Sequence, residues 1–288
     1  MKGIILAGGT GSRLWPATRG QSKQQLHVYD KPLVHYPLAT LMQAGIRDFI
    51  IITTPEDENT FKGLLGNGSS LGLKIDYAVQ SMPGGIAQAI LICEPHIRDQ
   101  EIALILGDNI FYGPDLSSQL NVNRFDFGAT IFAYAVKDPE RYGVVEFNQA
   151  GEVLSIEEKP QVPKSSFAVP GLYFYDKSVL SEAKKLKPSQ RGELEISDLN
   201  RLYLEQKKLH AHVLTKGTVW FDAGTFSSLH DAGSYVRIIE ERQGQKIGCL
   251  EEISWKHKWI SDNQLKKLAA EYRGNQYGQY LENLLQNP

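Results

Sequence analysis

The chain has 288 residues, 42% of them hydrophobic, which is enough for one large domain or two small ones with a core of ordinary size. Its 31 Lys and Arg against 33 Asp and Glu give a net charge of -2, which argues against a nucleic-acid or anionic-membrane partner. No run reaches the roughly 18 apolar residues of a membrane span and the N terminus lacks a signal-peptide core, so we expect a soluble, cytoplasmic protein.

The first part of the sequence alternates apolar runs with helical segments. Residues 3–7, 49–53 and 102–107 are apolar on both faces, as buried parallel strands are. Residues 37–44 and 86–93 fit between these strands as helices, the first with a proline near its start and a glycine after its end. The alternation predicts an α/β sheet.

From residue 129 onward the predicted strands are longer. Residues 129–136 and 168–176 each read as one strand, and residues 142–147 and 152–158 as a hairpin over the turn NQAG. The sheet is therefore expected to be mixed. Residues 192–206 predict a helix with apolar positions on one face.

The segment LAGGTGSRLWPATRGQSKQQL, residues 6–26, has four glycines directly after the first predicted strand. A glycine-rich loop between a strand and a helix exposes N–H groups to an anion, and the helix N terminus adds partial positive charge. The phosphate-loop pattern fails at Arg13, and the dinucleotide pattern fails at Leu14. Arg13 and Lys23, the latter expected on an exposed loop, suit a polyphosphate.

These residues carry a specific resemblance. LAGGTGSRLWP followed by SKQQL resembles the motif L-A-G-G-x-G-[ST]-R-L-x-P-x-T-x-x-x-x-K of the sugar-1-phosphate nucleotidyltransferases. Further blocks follow in the order of one branch of that family, the branch that uses dTTP and glucose 1-phosphate: ALILGDNIFYG, RYGVVEF, SIEEKP, AVPGLYFYD, RGELEISDLNR, WFDAGT and EEISWKHKWI. The resemblance covers essentially the whole chain.

The resemblance implies the nucleotidyltransferase fold, a Rossmann-like, mixed, mostly parallel sheet flanked by helices, with a helical C-terminal extension. It implies a core over residues 1–225, with a nucleotide-binding half at about 1–128 and a sugar-phosphate-binding half at about 129–225, and a helical region at 226–288. It implies a homotetramer. The implied reaction transfers a thymidylyl group from dTTP to α-D-glucose 1-phosphate, giving dTDP-glucose and pyrophosphate, the first step of dTDP-deoxysugar biosynthesis.

Two aspartates are candidates for a metal site. Asp108 follows the apolar strand 102–107 and Asp222 ends the strand-like segment TVWFD, at the edge where open α/β sheets bind ligands. Carboxylate pairs suit Mg²⁺, although each residue could instead cap a loop. The resemblance assigns both to the metal.

The resemblance also implies the remaining site residues. It assigns catalysis to Arg13, Lys23, Asp108 and Asp222. It assigns nucleotide binding to Gly8, Gly9, Thr10, Gly11, Ser12, Arg13, Lys23, Gln24, Gln80, Pro83, Gly85 and Asp108. It assigns sugar-phosphate binding to Tyr142, Gly143, Glu158, Lys159, Val169, Tyr173, Arg191, Glu193 and Trp220. No Ser-His-Asp, Cys-His or HExxH arrangement is visible, which favours direct in-line displacement over a covalent intermediate.

Gly84 departs from the family, which has Asp at this position. The pair Gly84 and Gly85 predicts a looser loop, and with it appreciable use of UTP, because one methyl group is worth only about 1–3 kcal/mol. Two alternatives stay open. One is a uridylyl- or cytidylyltransferase acting on a hexose 1-phosphate, and the other is a catalytically silent sugar-nucleotide-binding protein.

The cysteines and two of the histidines are interpreted as structural. Cys93 and Cys249 lie far apart without a flanking metal-ligand pattern, so we expect buried thiols. His27 and His35 stand where relatives have Pro and Tyr, and neither is expected to act as a base.

Overall fold

The computed structural model describes residues 1–9, 11–121 and 128–286. Thr10, which the family resemblance assigns to the nucleotide, lies outside these residues. The strands are β1 (Lys2–Leu6), β2 (His27–Val28), β3 (Lys31–Pro32), β4 (Asp48–Thr53), β5 (Lys74–Val79), β6 (Ile102–Leu106), β7 (Asn109–Tyr112), β8 (Ala129–Ala135), β9 (Gly143–Phe147), β10 (Val153–Glu158), β11 (Phe167–Val169), β12 (Leu172–Tyr175), β13 (Leu209–Val213) and β14 (Val219–Asp222). The α-helices are α1 (His35–Gln43), α2 (Glu58–Leu65), α3 (Gln88–Ile92), α4 (Glu94–Ile97), α5 (Leu116–Gln119), α6 (Val179–Ala183), α7 (Ile196–Glu205), α8 (Phe226–Gln243), α9 (Leu250–Lys256), α10 (Asp262–Glu271) and α11 (Gln276–Gln286).

The main sheet has ten strands in the order β10-β9-β11-β8-β12-β6-β1-β4-β5, with β13 beside β8. Strands β1, β4, β5 and β6 are mutually parallel, as the apolar runs predict. Only β10, β11 and β12 run against the direction of the other seven, within the described residues. The predicted fold class, a mixed and mostly parallel α/β sheet with C-terminal helices, is confirmed.

The central strands are apolar on both faces because helices cover both sides of the sheet. Ile5 and Ile51 belong to the core beneath α1, whereas Ile4, Ile50 and Leu104 belong to the core beneath α3 and α7. All five side chains are fully buried. This double burial explains why the runs show no alternation with polar residues.

The single strand predicted over residues 168–176 is wrong, since the structure divides it at Pro170 and Gly171 into β11 and β12. Between the pairs Ala168 with Tyr134 and Tyr173 with Ile131, this chain advances five residues while β8 advances three. Proline has no N–H for the ladder, so the strand bulges there. Its two halves then pair with different neighbours, β11 with β9 and β12 with β6. The sheet therefore divides at the break, since β9 and β6 lie next to different halves.

Two predicted helices begin later than the sequence indicates. α3 starts at Gln88 instead of 86, and α7 starts at Ile196 instead of 192. The residues before each helix bond to one another, since Leu194 N donates to the Gly84 carbonyl at 2.8 Å and Ala87 N donates to the Leu194 carbonyl at 3.1 Å. The Leu194 carbonyl, which would accept from Asp198 N in a helix that began at 192, thus accepts from Ala87 N instead.

The C-terminal segment is helical over the described residues 226–286. Thr225 and Ser228 form a reciprocal capping box at the start of α8, and Gly244 ends that helix with φ of 65°. Helices α9, α10 and α11 bury a small core of their own around Leu265 and Leu281. Within the described part of the chain, no helix has the length and apolar character needed to cross a membrane.

Both cysteines are buried free thiols, as expected. His35 opens α1, and its two ring nitrogens are buried without a hydrogen-bond partner in the described structure. Burial, helped by the positive charge of Lys31 and opposed by Asp30, lowers the pKa of His35 from 6.5 to about 4.

We expect His35 to make the fold less stable in mild acid. As pH falls from 6.5 towards about 4, the unfolded chain binds a proton that folded His35 does not, so stability falls across this window. Between pH 7 and pH 5 this single group should remove about 2 kcal/mol of unfolding free energy. Urea unfolding at the two pH values measures this loss. The decrease in unfolding free energy from pH 7 to pH 5 should be about 2 kcal/mol smaller in His35→Phe than in the parent protein.

The exposed residue His27 provides the matched control. His27→Phe should keep the pH dependence of the parent protein. An unchanged pH dependence in His35→Phe would contradict the assignment of this loss to His35.

Candidate active site

Two adjoining clefts open at the C-terminal ends of β1 and β6. The glycine-loop cleft, about 790 Å³, is lined by these predicted site residues: Gly8, Gly9, Lys23, Gln24, Gln80, Pro83, Gly85, Asp108 and Glu193. The hairpin cleft, about 410 Å³, is bounded by the β9–β10 hairpin and is lined by these: Gly11, Ser12, Arg13, Lys23, Asp108, Tyr142, Gly143, Glu158, Lys159, Val169, Tyr173, Trp220 and Asp222. Lys23 and Asp108 line both clefts, so the clefts meet at this pair.

Two residues that the family resemblance assigns to the sugar phosphate, Arg191 and Glu193, are outside the described lining of the hairpin cleft, which the other seven line. Glu193 lines the glycine-loop cleft. Arg191 is outside the described linings of both clefts, with about half of its side chain exposed. Its guanidinium is held by Glu195 at 2.8 Å, a contact four residues along the chain, before α7 begins, that the sequence reading did not consider.

The glycine loop does not lead into an α-helix, which corrects the expectation of a helix N terminus there. After β1 the chain makes only a single 3₁₀ turn, Ser12–Leu14, and Trp15 is extended with ψ of 142°. Pro16 explains the stop, because a proline pushes the preceding residue out of helical geometry. Any anion in this loop would therefore be held by loop N–H groups and side-chain cations.

Lys23 is not an exposed loop lysine, contrary to the sequence-based expectation. It begins a 3₁₀ turn whose N-cap, Ser22, accepts a hydrogen bond from Gln24 N. Ser22 N in turn donates to Asp57 Oδ1 at 3.2 Å, which ties the turn to the segment preceding α2. The Lys23 ammonium donates to Asp108 Oδ2, and the two side chains are only 21% and 13% exposed.

Asn109, which the sequence reading missed, orients the Asp108 carboxylate. Asn109 Nδ2 donates to Asp108 Oδ1 at 2.9 Å, while its Oδ1 accepts from Trp220 Nε1 at 2.6 Å and from Gly171 N at 3.1 Å. The two donors to Oδ1 have fixed polarity, so the amide orientation follows. Both Asp108 oxygens are thus held, and the adjacency of Asp and Asn in GDN was the available signal.

A second, two-stranded sheet brings Asp222 close to Asp108. β14 pairs antiparallel with β7, with Asp222 opposite Asn109, and Ala223 N donates to the Asp108 carbonyl at 2.9 Å. Burial and then the negative charge of Asp108 raise the pKa of Asp222, against the opposing charges of Lys23 and two arginines. Two carboxylates so arranged are a fitting pair of oxygen ligands for a divalent cation.

In the chain as the structure describes it, Asp108 and Asp222 form a pair of carboxylates and not a larger acidic cluster. Among residues 1–9, 11–121 and 128–286, no group of three or more His, Cys, Asp and Glu side chains has metal-binding geometry. A metal bound by this pair would take its remaining ligands from phosphate oxygens and water, as Mg²⁺ commonly does.

The hairpin cleft presents hydrogen-bonding groups on an aromatic wall. Glu158 Oε2 accepts from Ser197 Oγ at 2.5 Å, and Lys159 Nζ lies 3.8 Å from Glu158 Oε1. The rings of Tyr142 and Trp220 meet edge to face, with centroids 5.0 Å apart. Ser197 was missed by the sequence reading, because only the packing of α7 against β10 brings it to the glutamate.

A further cation in this cleft was also missed. Arg141 lines the hairpin cleft next to Tyr142, and its positive charge opposes the raised pKa of Asp222. A hydrogen bond from Arg141 Nη1 to Asp138 Oδ2 at 2.6 Å holds the guanidinium. Lys23, Arg141 and Arg13 therefore place positive charge near Asp222, and Lys159 lines the same cleft.

The loop at residues 84 and 85 is held more firmly than its two glycines predict. The Gly84 carbonyl accepts from Leu194 N at 2.8 Å, and Gly84 N donates to Gln88 Oε1 at 3.1 Å. Gly85 has φ of +94°, and a Cβ there would lie 2.7 Å from Leu194 N, so this position requires glycine. The expectation of a looser loop is not met by these contacts.

Comparisons with known proteins identify the family. A family model described as nucleotidyl transferase matches residues 2–237. The chain is 57% identical over 286 residues to a glucose-1-phosphate thymidylyltransferase of Neisseria meningitidis serogroup A, covering 99% of both chains. It is 54% identical over 286 residues to that of Mycobacterium tuberculosis, again covering 99% of both.

A solved structure agrees with this assignment. The fold matches, with a TM-score of 0.76 and 43% identity, a Bacillus anthracis structure described as a glucose-1-phosphate thymidylyltransferase in complex with sucrose. The match covers 82% of this chain and 95% of that one. The family expected from the glycine-loop motif is confirmed, and the chain belongs to the nucleotidyl transferase family, among the glucose-1-phosphate thymidylyltransferases.

Proposed function

We propose that the two clefts bind dTTP and α-D-glucose 1-phosphate, and that the protein joins them into dTDP-glucose with release of pyrophosphate. One observation carries this proposal above all. The clefts meet at Lys23 and Asp108, so a nucleotide in one and a sugar phosphate in the other would bring their phosphates together at a charged junction. The names of relatives that match over nearly the whole chain support the same substrates.

The nucleotide fits the glycine-loop cleft. Gly8 and Gly9 line it together with Gln24, Gln80, Pro83 and Gly85. Loop N–H groups suit phosphate oxygens, and side-chain amides suit the donor and acceptor groups of a pyrimidine edge. This arrangement supports the assignment of these residues to dTTP.

The sugar phosphate fits the hairpin cleft. The Glu158 carboxylate suits hexose hydroxyl groups, and Tyr142 and Trp220 offer the apolar wall on which a sugar ring packs. Lys159 and Arg141 suit the 1-phosphate. Arg191 is a weaker candidate than Arg141, because Arg141 lines the hairpin cleft and Arg191 lies outside the described linings of both clefts.

The carboxylates of Asp108 and Asp222 would hold Mg²⁺. Such an ion would supply positive charge that offsets the negative charge developing on the phosphates during the displacement. The raised pKa of Asp222, caused by burial and by the charge of Asp108, supports the fit, since a dication relieves both effects.

The protein's own residues act by positioning and by electrostatics. An oxygen of the sugar phosphate attacks the α-phosphorus of dTTP, and the bond between the α-phosphorus and its bridging oxygen to the β-phosphate breaks, so that pyrophosphate leaves in line. Arg13 and Lys23 stabilise the added negative charge. The Lys23 ammonium has three N–H donors, so at the junction of the clefts it can donate to a phosphate oxygen while it keeps its contact with Asp108 Oδ2.

We also propose the division into residues 1–128, 129–225 and 226–288, and a homotetramer, on the strength of the family resemblance. The first two units would share both clefts, because Arg13 lines the hairpin cleft and Glu193 the glycine-loop cleft. Sedimentation equilibrium would test the tetramer through its mass.

The activity is tested by pyrophosphate release from glucose 1-phosphate with dTTP, UTP or dCTP, with and without Mg²⁺. We expect turnover with dTTP that requires the metal, and a nucleotide sugar of the mass of dTDP-glucose. Faster turnover with UTP or dCTP would favour the uridylyl- or cytidylyltransferase alternative. Binding of dTTP without any pyrophosphate release would favour a catalytically silent binding protein.

A further inference from the structure

Gln88, a residue outside all the assignments above, contacts Gln80, which lines the glycine-loop cleft, and Gly84 next to it. Its Oε1 accepts from Gln80 Nε2 at 2.6 Å and from Gly84 N at 3.1 Å. Gln80 Nε2 also lies 3.4 Å from the Gly85 carbonyl. Gln88 is the first residue of α3, so it projects from a helix end that is anchored in the core.

Backbone groups of fixed polarity determine how both amides are oriented. Gly84 N can only donate, so the Gln88 atom facing it is the oxygen. That oxygen in turn requires the donor end of Gln80, and the Gly85 carbonyl, which can only accept, requires the same end. Rotating either amide by half a turn would set like groups against each other.

One atom of Gln80 is left over. With Nε2 committed to Gln88 and Gly85, Oε1 is the amide atom that accepts no hydrogen bond from any residue the structure describes. Gln80 lines the glycine-loop cleft, so the cleft is offered an acceptor at this point.

We propose that Gln88 is a positioning residue that holds Gln80 with its Oε1 available to the base, and that this orientation selects thymine or uracil over cytosine. The inference rests on the proposed function, in which Gln80 contacts the base. Thymine and uracil carry a hydrogen on N3 and can donate to Oε1. Cytosine N3 is an acceptor and would face another acceptor, which a hydrogen-bonding site rejects strongly.

Gly84 belongs to the same arrangement. A Cβ on residue 84 would lie 2.5 Å from Gln88 Oε1 and closer still to the rest of its carboxamide. Larger residues here would have to displace the amide that orients Gln80.

The test compares kcat/KM for dTTP, UTP and dCTP in Gln88→Met and Gln88→Glu. Met keeps the length and helix propensity but has no strong acceptor, whereas Glu keeps an acceptor for both donors. In Gln88→Met we expect the ratio of kcat/KM for dTTP to that for dCTP to fall at least about tenfold. The kcat/KM values for dTTP and UTP should fall together. Gln88→Glu should restore the preference to within about threefold of the parent value.

Two further variants separate this role from a general loss of structure. Gly84→Ala should reduce the same preference, because the added Cβ would displace the Gln88 carboxamide. The exposed Gln100 supplies the control, and Gln100→Met should leave all three values unchanged. A melting temperature close to that of the parent in Gln88→Met would separate a change in base preference from misfolding.

The inference is overturned by an unchanged dTTP-to-dCTP ratio in Gln88→Met, by equal losses in the Met and Glu variants, or by a parent protein that does not prefer dTTP. Calorimetric binding of dTTP and dCTP gives the same ratios without turnover. If the parent binds dTTP selectively but releases no pyrophosphate, the proposed reaction fails while the role of Gln88 is still decided.

Discussion

Asp222→Asn is expected to lower kcat by at least about 100-fold, or about 2.7 kcal/mol of transition-state stabilisation. The amide keeps the shape of the side chain but loses the negative charge that would bind Mg²⁺ beside Asp108. The melting temperature of the metal-free variant should not fall. The pKa of Asp222 is raised above its unfolded value by burial and by Asp108, so the charged form costs stability at neutral pH and a neutral amide relieves that cost.

Steady-state kinetics over a range of Mg²⁺ concentrations, together with thermal unfolding, check this expectation. Asp231→Asn is the matched control, because Asp231 is exposed on α8 and lies outside the described linings of both clefts. Normal kcat in Asp222→Asn at limiting Mg²⁺ would remove Asp222 from the metal site. A lost activity accompanied by a large drop in melting temperature would make the residue structural instead.

Lys23→Ala is expected to lower kcat/KM for dTTP by about 100-fold or more, because a cation at the junction of the two clefts is lost. Removing an exposed loop lysine would change the stability little, but the structure predicts a measurable loss of stability for Lys23→Ala. Lys23 is the partner of Asp108, which is 9% exposed, and Asp108 also faces Asp222. Removing the ammonium leaves two neighbouring carboxylates, so the melting temperature without metal should fall by roughly 2–6 °C.

Added Mg²⁺ should recover most of this lost stability in Lys23→Ala, since a dication would neutralise the same carboxylates. Lys62→Ala serves as the control, because Lys62 is about half exposed and pairs with Glu58 one helical turn away. It should change neither activity nor melting temperature measurably. Retained activity in Lys23→Ala with a lowered melting temperature would assign Lys23 to the fold alone.

The sequence by itself determined the elements whose cause is local. Residues 3–7, 49–53 and 102–107 were recognisable as buried strands because burial on both faces leaves an uninterrupted apolar run. The ends of β1 and β6 then placed the glycine loop and Asp108 at one edge of the sheet. The family motif predicted the chemistry of this edge, because spacing along a loop is itself a local property.

Only the tertiary structure decided which groups meet and how each is oriented. Asn109 bonds to Trp220, and Leu194 bonds to Gly84, across more than 100 positions of sequence, and no local pattern reports such contacts. The ion pair between Arg191 and Glu195 was not predicted for the same reason, since it depends on the turn before α7. Amide orientation at Gln88 depends on N–H and C=O groups that converge only after the chain has folded, because hydrogen-bond polarity is a property of assembled neighbours and not of residue type.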